Sequence, residues 1–174
     1  MHLFAIFAIG SMAVLGLSWN SLRDRRSHGF YRFFAFACLL ALIVLNLNGW
    51  FASPFSTRQI ASWVLLTASL PLAVHGFHLL RRLGEPRQGI EQTTRLVRRG
   101  AYRYIRHPLY ASLLLLSWGV FLKGITLLTG VLVLVISAVL VATAKAEEKK
   151  NVQAFGNEYL AYAETTKMFI PFVF

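Results

Sequence analysis

The chain has 174 residues, of which 56% are hydrophobic, and it carries a formal net charge of +11. The hydrophobic share exceeds that of typical soluble proteins, and the single cysteine, Cys38, excludes internal disulfides and thiolate metal clusters. The positive charge does not indicate nucleic acid, because the cations lie beside apolar segments long enough to cross a membrane. We therefore predict one all-α integral membrane domain over residues 1–174 and no nucleic-acid partner.

Membrane-spanning helices need roughly 17 to 25 mostly apolar residues, and five segments are candidates. In chain order they cover residues 3–19, 30–51, 60–80, 108–122 and 125–144, called segments one to five below. No Lys or Arg precedes segment one and no clear cleavage site follows it, so we expect a spanning helix and not a signal peptide. Segment four is the shortest, and we expect it to form a hairpin with segment five that turns at Lys123 and Gly124.

The charged residues are distributed unequally between the loops. Sixteen of the 18 cations follow segments one, three and five, whereas Arg58 and Lys123 lie in the loops on the opposite side. The positive-inside rule makes the crowded side cytoplasmic and places the N-terminus outside. All seven acidic residues lie on that same side. We therefore expect the C-terminus and any active site at the cytoplasmic face of a cell membrane, as in a bacterial inner membrane.

His75 and His78 lie three residues apart on segment three, a spacing that metal ligands can have. No third ligand is close to them in the sequence, so we expect no metal site. We expect these histidines to lie at the inner mouth of the helix bundle or near lipid head groups.

Residues 98–110, RRGAYRYIRHPLY, combine arginines, tyrosines and a histidine immediately before and at the start of segment four. They end the longest polar stretch of the chain, and long ordered loops tend to carry function. The simplest interpretation is an anchor that binds anionic lipid head groups. A second polar cluster follows segment five. Together the two clusters favour the edge of a ligand site over a simple anchor.

Glu147 and Glu148 follow segment five. Adjacent residues on a helix point about 100° apart, so we do not expect these two carboxylates to share a proton. A solvated charge run is the plain interpretation; alternatively, one acid faces a ligand and the other pairs with Arg103 or Arg106. In a hairpin both acids would meet His107 and Tyr110. That mixture of donors and acceptors suits a zwitterionic nucleoside such as S-adenosylmethionine.

The C-terminal tail has apolar and aromatic residues at helical spacing: Val152, Phe155, Tyr159 and Tyr162. This pattern predicts an amphipathic helix at the membrane surface, weakened locally by Gly156. The apolar end from Met168 onward is expected to fold back onto the bundle or to enter lipid. The predicted fold is therefore five transmembrane helices with a C-terminal interfacial helix. Residues 1–82 would form a three-helix part, and residues 83–174 the cofactor-binding loop, hairpin and tail.

The motif GAYRYIRHPLY, followed by EEKKNVQAFGNEYLAYAETTKMFIP, resembles the C-terminal half of a superfamily of integral-membrane methyltransferases. That superfamily contains isoprenylcysteine carboxyl methyltransferase and phosphatidylethanolamine N-methyltransferase. The resemblance covers residues 98–174, whereas the first three segments match only in being hydrophobic. It implies an S-adenosylmethionine-dependent methyltransferase that acts on a hydrophobic or lipid-borne acceptor among membrane lipids.

The resemblance also implies roles for individual residues. The cofactor would be bound by Gly100, Tyr102, His107, Pro108, Tyr110, Glu147 and Glu148. Arg103 and Arg106 would assist at its carboxylate or at the acceptor, and Glu148 or Glu147 would accept a proton from an amine acceptor. Ala101 replaces the usual proline, and Lys145 is the nearest cation where isoprenylcysteine enzymes carry an arginine. The acceptor, a carboxylate, an amine or a thiol, stays open.

Two other functions fit parts of the sequence. Membrane sterol and steroid reductases, which use NADPH, look similar in an R-H-P-like stretch and in spaced tyrosines. The acidic pair argues against them, because two carboxylates are unfavourable beside a phosphorylated dinucleotide. A lipid-binding scaffold without enzymatic activity would need only the arginines. The sequence leaves the oligomeric state open.

Overall fold

The structure, a computed structural model, describes residues 7, 10–12, 28–85 and 93–173. The α-helices within these ranges are α1 (His28–Leu45), α2 (Thr57–Leu83), α3 (Pro108–Phe121), α4 (Leu127–Phe155) and α5 (Asn157–Thr165). Short 3₁₀ helices cover Leu47–Gly49 and Gly100–Arg103. An isolated parallel β-bridge joins Ile105 to Lys167. The prediction of an all-α fold is therefore confirmed.

The chain divides into two compact units. The first combines Met1–Leu66 with Leu116–Lys145, and the second combines Thr67–Leu115 with Ala146–Phe174. Helices α2, α3 and α4 each contribute residues to both units. The proposed division of the chain into residues 1–82 and 83–174 stays a prediction.

The first unit has an apolar core formed by α1, the end of α3 and most of α4. Its most deeply buried side chains include Leu42, Val120, Val133, Ile136 and Leu140. In this core the Ser62 hydroxyl donates a hydrogen bond of 2.7 Å to the carbonyl of Gly119. Such a bond satisfies a hydroxyl that would otherwise be buried without a partner.

The turn between α3 and α4 lies at Lys123 and Gly124, where the sequence predicts it, but Lys123 is only 1% exposed. Its Nζ donates to Gln59 Oε1 at 2.8 Å and lies 3.7 Å from the centroid of a Trp63 ring. The described residues of this unit include no Asp or Glu. The amide oxygen and the aromatic face therefore stabilise the ammonium group. Burial lowers the pKa of Lys123.

The second unit contains the loop before α3, the end of α4, helix α5 and the tail. The backbone N–H groups of Arg106 and His107 donate to the carbonyls of Lys167 and Met168, at 2.7 and 3.1 Å. Met168 is buried with Phe169, whereas residues 170–173 are exposed. The tail thus folds back onto the polypeptide, which is one of the two outcomes that we expected for it.

Helix α4 does not end with segment five but continues through the acidic pair to Phe155. Gly156, with a φ of 57°, ends it, and α5 begins at the next residue. The φ of 57° combined with a ψ of −133° lies outside the helical regions, and glycine adopts it without the steric cost of a side chain. The predicted amphipathic helix is therefore wrong as one continuous element. Gly156 interrupts it and does not merely weaken it.

Helices α2 and α4 are long and apolar enough to cross a membrane. Only 17% and 33% of their most apolar windows are buried, so much apolar surface needs an apolar surrounding. Together these helices indicate a membrane protein.

The prediction of five spanning helices is not confirmed by the described residues. Segments two and four form shorter apolar helices there, and segment one lies outside the described residues except at positions 7 and 10–12. Helix α3 has 14 residues. At about 1.5 Å per residue it covers roughly 21 Å, less than a hydrocarbon core of roughly 30 Å.

Candidate functional site

A cleft in the second unit brings together residues from α2, the 93–107 loop, α3, α4 and α5. Its polar and aromatic lining residues include Tyr102, Arg106, His107, Tyr110, Glu147, Asn151, Phe155, Tyr159 and Tyr162. Aliphatic side chains complete the lining, among them Leu80, Leu96, Val97 and Leu109. The space free of protein atoms is about 570 Å³, part of it open to solvent. The cleft is therefore a partly open space lined by polar, aromatic and aliphatic side chains.

The start of α3 positions His107 and Tyr110. Pro108 is the first residue of the helix, where its missing N–H costs nothing, and the His107 carbonyl accepts the Ala111 N–H at 2.9 Å. The His107 and Tyr110 rings stack with centroids 5.5 Å apart and planes 20° apart. Both side chains are almost fully buried. The R-H-P-x-Y motif therefore forms a rigid aromatic wall of the cleft.

Glu147 belongs to the cleft. Its carboxylate accepts a hydrogen bond of 2.8 Å from the Tyr110 hydroxyl, which joins α4 to α3. Two residues that the sequence analysis assigned to one site are thus in direct contact. This bond holds a carboxylate against the aromatic wall.

Glu148 points elsewhere and does not line the cleft. Its Oε1 accepts from Arg106 Nε at 2.6 Å and lies 3.3 Å from His107 Nε2. Burial by itself raises the pKa of the Glu148 carboxyl, but hydrogen bonds and charge from His107 and Arg106 outweigh burial and lower the pKa. Glu148 lies beyond the apolar part of α4, outside the segment that the sequence predicts to cross the membrane. The two acids diverge as helix geometry predicts, with Glu147 at the cleft and Glu148 behind it.

Arg106 connects three parts of the second unit. In addition to Glu148, its guanidinium donates to the carbonyls of Ala163 and Thr166, at 3.0 and 2.5 Å. It therefore cross-links the loop before α3, the end of α4 and the end of α5. This side chain lines the cleft, and three of its five N–H donors bond to protein acceptors.

Three other predicted residues, Gly100, Arg103 and Pro108, do not line the cleft. Arg103 is exposed on the 3₁₀ helix, and Pro108 is buried as the first residue of α3. Gly100 has a φ of +58°, and a side chain at this position would collide with His75 Nε2. The glycine is thus explained by backbone conformation and close packing.

The sequence analysis assigned no role in the site to four residues that line the cleft: Asn151, Phe155, Tyr159 and Tyr162. Asn151 and Phe155 follow Glu147 by one and two helical turns, so helix periodicity could have placed them beside it. Tyr159 and Tyr162 were noted only as apolar positions of a surface helix. No simple signal marked them as site residues, because their contribution depends on how α5 packs.

The tyrosines of α5 differ in their hydrogen bonds. The Tyr162 hydroxyl donates to the Tyr102 carbonyl at 2.6 Å. The Tyr159 hydroxyl is buried without a hydrogen-bond partner among the described residues. Burial raises the pKa of Tyr159 to about 12, and the nearby Asn151 side chain offsets only part of this rise. Tyr159 is therefore a neutral hydroxyl at physiological pH.

The structure is an all-α fold with two helices apolar enough to cross a membrane, and it has a cleft lined by polar and aromatic residues. The chain belongs to the family described as Protein of unknown function (DUF1295), which matches residues 11–166. No curated protein matches the chain. Proposals about its chemistry therefore rest on the cleft.

Proposed function

We propose that the protein is an integral-membrane methyltransferase that uses S-adenosylmethionine and a hydrophobic or lipid-borne acceptor. The observation that carries the proposal is the contact between Glu147 and Tyr110 at the wall of the cleft, 2.8 Å long, beside the stacked His107 ring. A carboxylate, a phenol and an imidazole thus line one cleft. These are the groups that the sequence resemblance assigns to the cofactor.

The donor set of the cleft fits this cofactor. A carboxylate such as Glu147 can accept hydrogen bonds from a ribose diol or an ammonium group, as acidic residues do in nucleotide sites. The rings of His107, Tyr110 and Phe155 offer aromatic surface to a purine. The Tyr159 hydroxyl adds a buried polar atom without a hydrogen-bond partner in the described part of the chain. S-adenosylmethionine would supply a methyl group activated by its sulfonium.

The protein's own contribution would be binding, alignment and exclusion of water. Correct alignment of two reactants can replace about 7–11 kcal/mol of a reaction barrier. For an amine acceptor, Glu147 would be the group to accept a proton, because it faces the cleft. Arg106 and Glu148 would act by holding His107 in place.

The charge of the cleft favours this proposal over an NADPH-dependent reductase. Among the described lining residues Arg106 is the only Lys or Arg, and three of its five N–H donors already bond to protein acceptors. A 2′-phosphate of NADPH is commonly bound by an arginine with available donors. A zwitterionic nucleoside has less need of such a cation.

The proposal includes the finer topology: five membrane crossings, α5 at the membrane interface, and the cleft at the cytoplasmic face. The charge distribution of the loops supports this orientation. A lipid-borne acceptor would then reach the cleft from the bilayer while the cofactor enters from the cytoplasm.

Calorimetry of the purified protein in detergent with S-adenosylhomocysteine and with NADPH tests the proposal. We expect saturable binding of S-adenosylhomocysteine. Glu147→Gln should weaken that binding about 10- to 100-fold, the size of a hydrogen bond to a charged group. Glu164→Gln removes the same charge at an exposed position of α5 outside the cleft and should leave binding unchanged. Saturable heat from NADPH alone would overturn the proposal.

A further inference from the structure

Tyr159 presents an unexplained group to the cleft. The residue is 3% exposed and lines the cleft, yet its hydroxyl has no hydrogen-bond partner among the described residues. Buried polar atoms in native proteins almost always have a partner, so an exception at a ligand site points to the ligand.

Tyr162 provides the internal comparison. It lies one helical turn further along α5, is 5% exposed and lines the same cleft. Its hydroxyl donates to the Tyr102 carbonyl. One tyrosine of this pair therefore connects parts of the protein, whereas the other presents a donor to the cleft.

Asn151 and Phe155 lie beside this hydroxyl on the last turns of α4, and both line the cleft. The Asn151 side chain interacts with the Tyr159 hydroxyl closely enough to lower its pKa, but no hydrogen bond of ordinary length and angle joins the two groups. An amide offers both a donor and an acceptor, and a phenyl ring offers an aromatic face. In protein–nucleic acid complexes, asparagine forms hydrogen bonds with the edge of adenine, and aromatic side chains stack on the plane of a base.

Arg106 and Glu147 are the charged residues of the described lining, whereas Asn151, Phe155 and Tyr159 are uncharged. The charged and hydroxylated parts of a nucleoside ligand match the carboxylate, whereas its uncharged base matches an amide and a neutral phenol. We propose that Asn151 and Tyr159 form a subsite for the purine ring, in which the Tyr159 hydroxyl donates to a ring nitrogen. This inference rests on the proposed function, because it assumes an adenosyl ligand.

The test combines stability and binding in the full-length protein in detergent. Tyr159→Phe removes a hydroxyl that has no hydrogen-bond partner among the residues that the structure describes, so the variant without ligand should melt at the same or a higher temperature. Tyr162→Phe removes a bonded hydroxyl and should melt lower. Tyr159→Phe should nevertheless bind S-adenosylhomocysteine roughly two- to tenfold more weakly, the size of one neutral hydrogen bond.

Ligand analogues identify the atom. In the 1-, 3- and 7-deaza analogues of S-adenosylhomocysteine one ring nitrogen is replaced by C–H. The wild type should bind one of the three more weakly than the parent compound, and Tyr159→Phe should bind that analogue and the parent equally. Asn151→Leu should weaken binding of the parent, whereas Gln153→Leu, at an exposed position of α4, should not.

The outcomes separate the two proposals. If the wild type does not bind S-adenosylhomocysteine, the proposed function and this inference both fail. If the wild type binds it and Tyr159→Phe binds it equally well, only this inference fails. The same holds if Tyr159→Phe still discriminates among the deaza analogues as the wild type does.

Discussion

Glu147 and Glu148 are neighbours in the chain and have different partners. Glu147 bonds to Tyr110 and lines the cleft, whereas Glu148 bonds to Arg106 and approaches His107. The rotation of about 100° between adjacent helical residues separates them. One acid is therefore available to a ligand, and the other holds the residues that form the wall of the cleft.

Glu148→Gln should destabilise the protein, because it removes a charge-assisted bond to a mostly buried guanidinium. We expect a loss of about 1.5–3 kcal/mol near neutral pH. The pKa of Glu148 is lowered in the folded protein from an ordinary value of 4.5. Its contribution to stability is thus complete above pH 4.5 and is lost as pH falls through the folded pKa.

Unfolding of wild type and Glu148→Gln in detergent at pH 7 and at pH 3 measures this effect. The difference in stability should be smaller at pH 3. A difference that is unchanged or larger in acid would show that the carboxylate is not the stabilising species. Glu164→Gln, at an exposed position, should show little difference from wild type at either pH.

The connections between helices hold polar groups that an apolar unit would not be expected to bury. Lys123, in the turn between α3 and α4, bonds to Gln59 of α2, and Gln59 Nε2 donates to the carbonyl of Gly49 at 2.6 Å. Gln59 and Lys123 are both fully buried. This chain of bonds joins the start of α2 to the two connections that hold Lys123 and Gly49.

A double-mutant cycle measures the coupling between Lys123 and Gln59. Lys123→Met leaves the Gln59 oxygen without its donor, and Gln59→Leu leaves a buried ammonium without its acceptor. Each single variant should be destabilised. The double variant should lose less stability than the sum, by about 0.5–3 kcal/mol, because neither group is then left unpaired.

Unfolding by heat or detergent gives the four stabilities of the cycle. Arg58→Met is the control, because it changes an exposed residue next to Gln59 in the chain. Its effect on stability should add to that of Gln59→Leu. If the stability effects of Lys123→Met and Gln59→Leu were also additive, the two residues would not be coupled. That result would contradict the role that we assign to this pair.

At the scale of the whole molecule, the distribution of charge predicts the orientation in the membrane. The sequence places Arg58 and Lys123 opposite the sixteen other cations. Lys123 is buried and has its partners inside the protein, so it contributes little to the surface charge on that side. In the proposed topology, the asymmetry between the two faces would therefore be greater than the sequence count indicates.

Cysteine labelling tests this orientation in a Cys38→Ala background. Ala52→Cys, at an exposed position between α1 and α2, should react with a membrane-impermeant maleimide on intact cells. Glu164→Cys, exposed on α5, should react only after permeabilisation. The reverse pattern would place the cleft outside and would contradict the proposed entry of a cofactor from the cytoplasm.

Much of the local structure could be predicted from the sequence because it depends on short-range physics. Apolar runs predicted helices around segments two to five, and Lys123 and Gly124 marked the turn between α3 and α4. The motifs identified five residues that line the cleft: Tyr102, Arg106, His107, Tyr110 and Glu147. Residue type and helical spacing suffice for such predictions.

Contacts between distant parts of the chain required the tertiary structure. The Tyr162 hydroxyl bonds to the carbonyl of Tyr102, sixty residues earlier. The positive φ of Gly156 starts a new helix and directs Tyr159 to the cleft.

By itself, the sequence determined the all-α class, the positions of the apolar segments and the polar motifs that flank segments four and five. Only the tertiary structure decided that Glu147 lines the cleft, that Glu148 and Arg106 bond to each other, and that Tyr159 belongs to the site. The reason is that helix formation depends on neighbours along the chain. The direction of a side chain depends on helix phase and on the elements packed against it.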